Sequence, residues 1–210
     1  YFQEFEHQFC DLLKAYQPQS AVSQELFKTE MKNLHMYGYG LKSMMLSMIE
    51  TACRITGGEG NMHCVKEIVR LGQELLQRPV TLLDGVEEVL LRLQGKYRLV
   101  LATKGDLFDQ EEKVRESGLM HYFCHIEIMS DKKEADYRKL LTTVECAPQN
   151  FLMLGNSVKS DDTAGFGAWA DMQPTIPYTS PWQYETHDGD IAHPNFIRLK
   201  NITDIMEYLL

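Results

Sequence analysis

The sequence predicts an α/β fold, a doubly wound and mainly parallel sheet, set behind an all-helical lobe. Two observations predict it. From residue 1 to residue 78 the apolar positions recur at helical spacing and no strand-like run interrupts them. From Pro79 to residue 210, short apolar runs alternate with amphipathic stretches. That order implies right-handed crossovers and a sheet covered on both faces.

In the lobe, Phe2 to Tyr16 reads as one amphipathic helix, with Phe2, Phe5, Phe9, Leu12 and Leu13 at helical spacing and a stop near Pro18. Ser23 to Met36 reads as a second helix, with Leu26, Phe27, Met31 and Leu34 on one face. Gly38 and Gly40 interrupt. Leu41 to Ile55 follows, and its Met44, Met45 and Met48 read as adaptable core filler. Gly57, Gly58 and Gly60 break that helix, and Asn61 to Leu76 reads as a fourth, ended by Pro79.

In the second part, Asp84 to Leu93 reads as a short helix and Tyr97 to Ala102 as a compact strand. Leu107 to Ser117 is a helix ending at Gly118, and His125 to Met129 is a strand. Asp131, with Glu134 three residues on, has capping-box spacing for a helix running to Cys146. Phe151 to Leu154 is another apolar strand, followed by a Gly-Asn-Ser turn. Pro174 to Pro194 reads as loop, and Asn201 to Leu210 as a closing helix.

The composition narrows the function classes. A chain of 210 residues that is 44% hydrophobic and 24% charged can bury a sizeable core. No apolar run approaches the roughly 20 residues of a membrane span. A net charge of −9 disfavours a nucleic-acid backbone as partner, because phosphate contacts there need clustered Lys and Arg. Cys10, Cys53, Cys64, Cys124 and Cys146 are scattered and odd in number, the pattern of reduced thiols in a cytoplasmic protein.

Ligands of a parallel α/β sheet collect outside the carboxyl ends of its strands. There the sequence places Thr103-Lys104-Gly105-Asp106, then Ser130-Asp131-Lys132-Lys133, then Gly155-Asn156-Ser157 with Ser160-Asp161-Asp162 close behind. A hydroxyl with a glycine turn, a lysine pair and a carboxylate pair suit phosphoryl chemistry. They supply donors for phosphate oxygens, a cation for developing charge, and a hard oxygen for Mg²⁺.

Leu101-Ala102-Thr103-Lys104-Gly105-Asp106, then Lys132, then Gly155 to Asp162 resembles, in order and spacing, the second, third and fourth motifs of the haloacid dehalogenase superfamily. Leu82 to Leu90 resembles the helix by which the chain re-enters the core from an inserted cap in that family. The resemblance implies a helical cap at 1–78 and a core at 79–210, with Thr103, Lys132 and Asp161 converging in one pocket.

It implies that Thr103 binds the phosphoryl group, with the Lys104 N–H and the Gly105 turn beside it. Lys132, or else Lys133, neutralises the phosphate. Asp161 holds Mg²⁺, with Asn156 or Asp162 in support. The nucleophilic Asp and its acid/base companion are placed on a first strand upstream of Tyr1, so the chain as written is expected to be inactive. The implied activity is hydrolysis of a small cytosolic phosphate ester through an aspartyl-phosphate. The alternatives are hydrolytic dehalogenation of a haloacid, or a binding protein that keeps the fold.

Each residue also has a plainer reading. Thr103 is a natural strand end, and Lys132 with Lys133 a solvated helix start. Asp161 and Asp162 are helix caps, and Asp106 caps the helix at Leu107. In the lobe, His35, Met36, Tyr37 and Tyr39 among glycines read either as a substrate entrance or as a packed connection. Trp169 and Trp182 read as packing residues. His187, Asp188 and His193 have spacing too irregular for a metal cluster.

Overall fold

A computed structural model describes residues 1–58, 61–157, 174–175 and 196–210. They form two compact units, one of Tyr1–Val80 with Gly105–Lys113, the other of Thr81–Lys104 with Val114–Leu210.

The first unit is built on four helices: α1 (Phe2–Leu12), α2 (Gln19–Tyr37), α3 (Leu41–Ile55) and α4 (Asn61–Leu76). Its core gathers Phe5 and Phe9 of α1, Leu26 of α2, Met48 of α3 and Ile68 of α4. Each such side chain contributes roughly 1.5–3 kcal/mol when fully buried. Met44 and Met45 pack against that core from its edge.

Helix α2 starts four residues earlier than Ser23, because Pro18 (φ −57°) already sets the chain for a helix. Its buried stripe is Val22, Leu26, Thr29 and Asn33, whereas Phe27, Met31 and Leu34 are only half-buried. The polar half of that stripe meets Ser47 and Thr51 of α3. Asn33 Nδ2 donates to Ser47 Oγ (3.3 Å) and Glu50 Oε2 (2.9 Å). Thr51 Oγ1 donates to Thr29 Oγ1 (3.0 Å), and Arg54 reaches the same oxygen at 2.6 Å. Buried polar groups persist when paired, so this seam sets the register of α2 on α3, a role invisible to hydrophobic periodicity.

All five cysteines are unpaired thiols, Cys10 and Cys64 buried and Cys124 exposed. Burial pushes the Cys10 thiol up to about 11, with Glu6 and Asp11 adding to the shift. The thiolate is the reactive species. Under native conditions between pH 7 and 9, Cys10 should therefore resist iodoacetamide while Cys124 is labelled, as read by peptide mass spectrometry. Equal labelling rates at both would contradict the packing of α1.

The second unit contains α5 (Val86–Leu93), β1 (Val100–Lys104), β2 (His125–Met129) and α7 (Glu134–Thr143). Between β1 and β2 runs α6 (Leu107–Ser117), whose residues fall partly in each unit. Strands β1 and β2 are parallel, Val100 opposite His125 through Lys104 opposite Met129. A second parallel pair joins β3 (Pro174–Thr175), at the start of the stretch expected to be loop, to β4 (Ile197–Arg198), which follows that stretch.

Several boundaries differ from expectation. The strand expected at Tyr97–Ala102 lies at Val100–Lys104. The Tyr97 N–H is already used by Leu93 O (3.1 Å), while pairing with β2 carries the ladder on to Lys104. Helix α7 begins at Glu134, not Asp131. Lys133 is its N-cap, and the Lys133 N–H donates to Asp136 Oδ2 at 3.0 Å. It ends at Thr143, short of Cys146. Glu145 is left-handed (φ 49°), and Arg98 donates to the Val144 and Glu145 carbonyls (2.8 and 3.3 Å). Asn201–Leu210 is a 3₁₀ turn (Ile202–Ile205) running into a short helix (Met206–Leu209).

Phe151–Leu154, expected as a strand, pairs in no ladder among the described residues. Its side chains nonetheless alternate as a strand's do. Phe151 and Met153 join Val100, Ala102, Met129 and Tyr137 in one cluster. Leu154 joins Leu99, Val89 and Ile205 in another. Leu99 and Val100 divide between the same two clusters. No helix among the described residues is long and apolar enough to cross a membrane.

Candidate functional site

The register of β1 on β2 sets the site. With Thr103 opposite Ile128 and Lys104 opposite Met129, neighbouring parallel strands about 4.8 Å apart end together. The segment Ser130–Lys133 therefore leaves β2 where Thr103 and Lys104 finish β1. Both of these lie inside the strand, not beyond it as expected, and both are half-buried.

The two lysines differ. Lys132 is half-buried and Lys133 exposed. Asp131, between the strand and the lysines, organises them. Its Oδ1 accepts the Lys132 N–H (2.9 Å), and its Oδ2 pairs with Lys133 Nζ (3.0 Å). Burial pushes the Asp131 carboxyl up, but the Lys133 and Lys132 hydrogen bonds, with the charges of Lys133 and Lys104, outweigh it and hold the group below its usual range. The influence of Lys104 on Asp131 links the end of β1 to the end of β2. Sequence reasoning treated Asp131 only as a helix start. The missed signal was an acid wedged between a strand end and two cations.

Gly105 begins the segment grouped with the first unit. Its φ of +145° favours glycine, and a Cβ there would lie 3.1 Å from Gln110 Nε2. Asp106 caps α6, accepting the Asp109 N–H on Oδ1 at 3.1 Å. The turn Gly155–Ser157 follows Leu154, with Asn156 exposed and Ser157 buried. His35, Met36 and Tyr37 are exposed at the end of α2, and Tyr39 is half-buried. Asp161, Asp162, Trp169, Trp182, His187, Asp188 and His193 lie outside the described residues. The expected convergence of Asp161 with Thr103 and Lys132 falls there too. Among the described residues no group of three or more His, Cys, Asp or Glu side chains is placed to hold a metal.

No family model matches the chain. A haloacid dehalogenase-like family hydrolase from Xanthomonas campestris is similar in structure over 99% of this chain and 84% of its own, at 31% identity and a TM-score of 0.83. This chain belongs to the haloacid dehalogenase-like hydrolase family.

The α/β core and helical cap are that family's architecture. The HAD-hydrolase YfnB of Bacillus subtilis, solved bound to magnesium, shares the fold at 16% identity and a TM-score of 0.60, covering 99% of this chain and 92% of its own. The N-acylneuraminate-9-phosphatase of Mus musculus is 26% identical over 158 residues, and that of Homo sapiens 24%, each match covering 70% of this chain. The chain spans 64% of the length of these curated relatives.

Proposed function

We propose that this family member serves as a Mg²⁺-dependent phosphomonoester phosphatase acting on a small phosphate ester. The observation that supports the reading is that β1 finishes at Thr103 and Lys104 level with Ile128 and Met129 of β2, from which the segment bearing Lys132 leaves, with Lys133 paired to Asp131. That geometry favours Lys132 over Lys133 as the cation for phosphate. The Thr103 hydroxyl and the Lys104 N–H donate to phosphoryl oxygens, and Lys132 offsets their charge.

Asp161, with Asn156 or Asp162, would supply oxygen donors of the kind a hard cation prefers. Mg²⁺ held there supplies further charge neutralisation at the phosphate. We assign the attacking carboxylate to a strand ahead of Tyr1, with Thr103 and Lys132 orienting the phosphate that it attacks. The curated relatives point to a phosphorylated sugar acid as the first substrate class to try. The unpaired thiols fit a cytoplasmic setting, and the net charge of −9 fits a small-molecule partner, not nucleic acid.

The test is an aryl phosphate assay with Mg²⁺, run on this chain beside a version extended upstream. We expect turnover from the longer chain alone, abolished by chelation. In the longer chain, Asp161→Asn should raise the Mg²⁺ concentration needed for half-maximal rate about tenfold, since a neutral amide is a poorer ligand than a carboxylate. Equal metal-dependent rates from both chains would show that the nucleophile lies within residues 1–210.

A further inference from the structure

We infer that Lys42 is a positioning residue for the turn that follows Thr103: held between Asp106 and Asp109, it fixes the Gly105–Asp106 turn and with it the backbone at the end of β1. The inference rests on the phosphate-binding reading above and adds a residue that no motif contains. Lys42 lies in the first turn of α3, and its Nζ is 2.7 Å from Asp106 Oδ1 and 3.2 Å from Asp109 Oδ1. The same Asp106 oxygen accepts the Asp109 N–H that caps α6. One atom thus joins the cap of α6 to the start of α3.

The contact is anchored from both sides. The Asp109 side chain is 6% exposed, and its Oδ2 has no hydrogen-bond partner among the described residues, so losing Lys42 would leave a buried carboxylate uncompensated. A Cβ on Gly40 would lie 3.3 Å from the Asp106 amide nitrogen, so the backbone before α3 closes directly on the turn. A cation beside the N-terminus of α6 is unfavourable for that helix. Lys42 is therefore explained by the two carboxylates, not by the helix.

The physical role follows from Gly105, which is joined by one peptide bond to Lys104. Glycine is the residue with the most backbone freedom to lose. A turn that must be ordered when an anion binds weakens binding roughly tenfold for each residue left loose. Lys42, by ordering the turn beforehand, removes that loss.

The experiment measures inorganic sulfate affinity of the full chain by calorimetry. Lys42→Met should weaken it roughly tenfold, and Lys42→Arg, which keeps the charge, should restore it to within about twofold. Among the described residues, Lys42 is the charge that acts on Asp106, and the Asp109 carboxylate shares that lysine. Chiefly through the Lys42 hydrogen bond, the Asp106 carboxyl is held below its usual range. Wild-type affinity should therefore survive to lower pH than that of Lys42→Met, whose acid limb moves up into the ordinary carboxylate range.

Asp106→Asn supplies a second arm should Lys42→Met fail to fold, with a similar loss expected. Wild-type affinity in either variant overturns the inference. Thr103→Val separates the two readings. If Thr103→Val loses sulfate while Lys42→Met keeps it, only the role of Lys42 falls. If wild type and Thr103→Val do not differ, the phosphate site falls and this inference with it.

Discussion

Gly85→Ala should destabilise the second unit by roughly 2–5 kcal/mol, from two separate causes. Gly85 precedes α5 in the left-handed region, at φ +78° and ψ −6°. A residue with a Cβ costs about 1–2 kcal/mol there. The new methyl would also lie 2.6 Å from Thr203 Cγ2 and 3.6 Å from Ile202 Cγ2, and overpacking of that kind costs about 1–3 kcal/mol. Against a total stability of ~5–15 kcal/mol this is a large fraction. Urea unfolding should show a lower midpoint with an unchanged slope. Thr203→Ser removes the clashing methyl, so Gly85→Ala with Thr203→Ser should recover the packing part and leave the backbone part. A wild-type midpoint for Gly85→Ala would contradict the left-handed entry into α5.

Lys132→Met should weaken sulfate binding about 10- to 100-fold, and Lys133→Met less than about twofold, because a charge-assisted hydrogen bond contributes ~1.5–3 kcal/mol. The difference follows from where each side chain is spent. Lys133 is 75% exposed at its side chain and paired with Asp131, a surface contact that contributes about 0–1 kcal/mol to stability. Removing it releases Asp131, whose carboxyl then loses one of the hydrogen bonds that hold it below its usual range. That change belongs to the loop and not to the anion. Removing the half-buried Lys132 takes away the cation assigned to phosphate. A larger loss from Lys133→Met than from Lys132→Met would reverse the assignment.

The two lysines also mark where sequence reasoning reached its end. Lys132 and Lys133 are neighbours of one type after one strand, and no local rule separates them. Asp131 does, through a hydrogen bond to one and an ion pair to the other. The polar seam of Thr29, Asn33, Ser47 and Thr51 escaped for a related reason. Periodicity registers apolar residues, and these four are buried by contacts between helices 14 to 22 residues apart in sequence.

The strand ends tell the same story. The apolar run beginning at Tyr97 was legible, but the ladder begins at Val100 because a strand's limits belong to its pairing with β2. Phe151–Leu154 shows the converse. Its apolar run is written in the sequence, yet no ladder forms on it among the described residues, and only the structure divides its side chains between two clusters.

The sequence by itself determined the helical lobe, the alternating strands and helices after it, and the residue types at the strand ends, because side-chain periodicity and turn chemistry are local. The tertiary structure alone decided the ladder limits, the start of α7, the buried polar stripe of α2 and the pairing of Lys133 with Asp131. Those depend on where hydrogen-bond and charge partners sit in space, and spacing along the chain does not specify that.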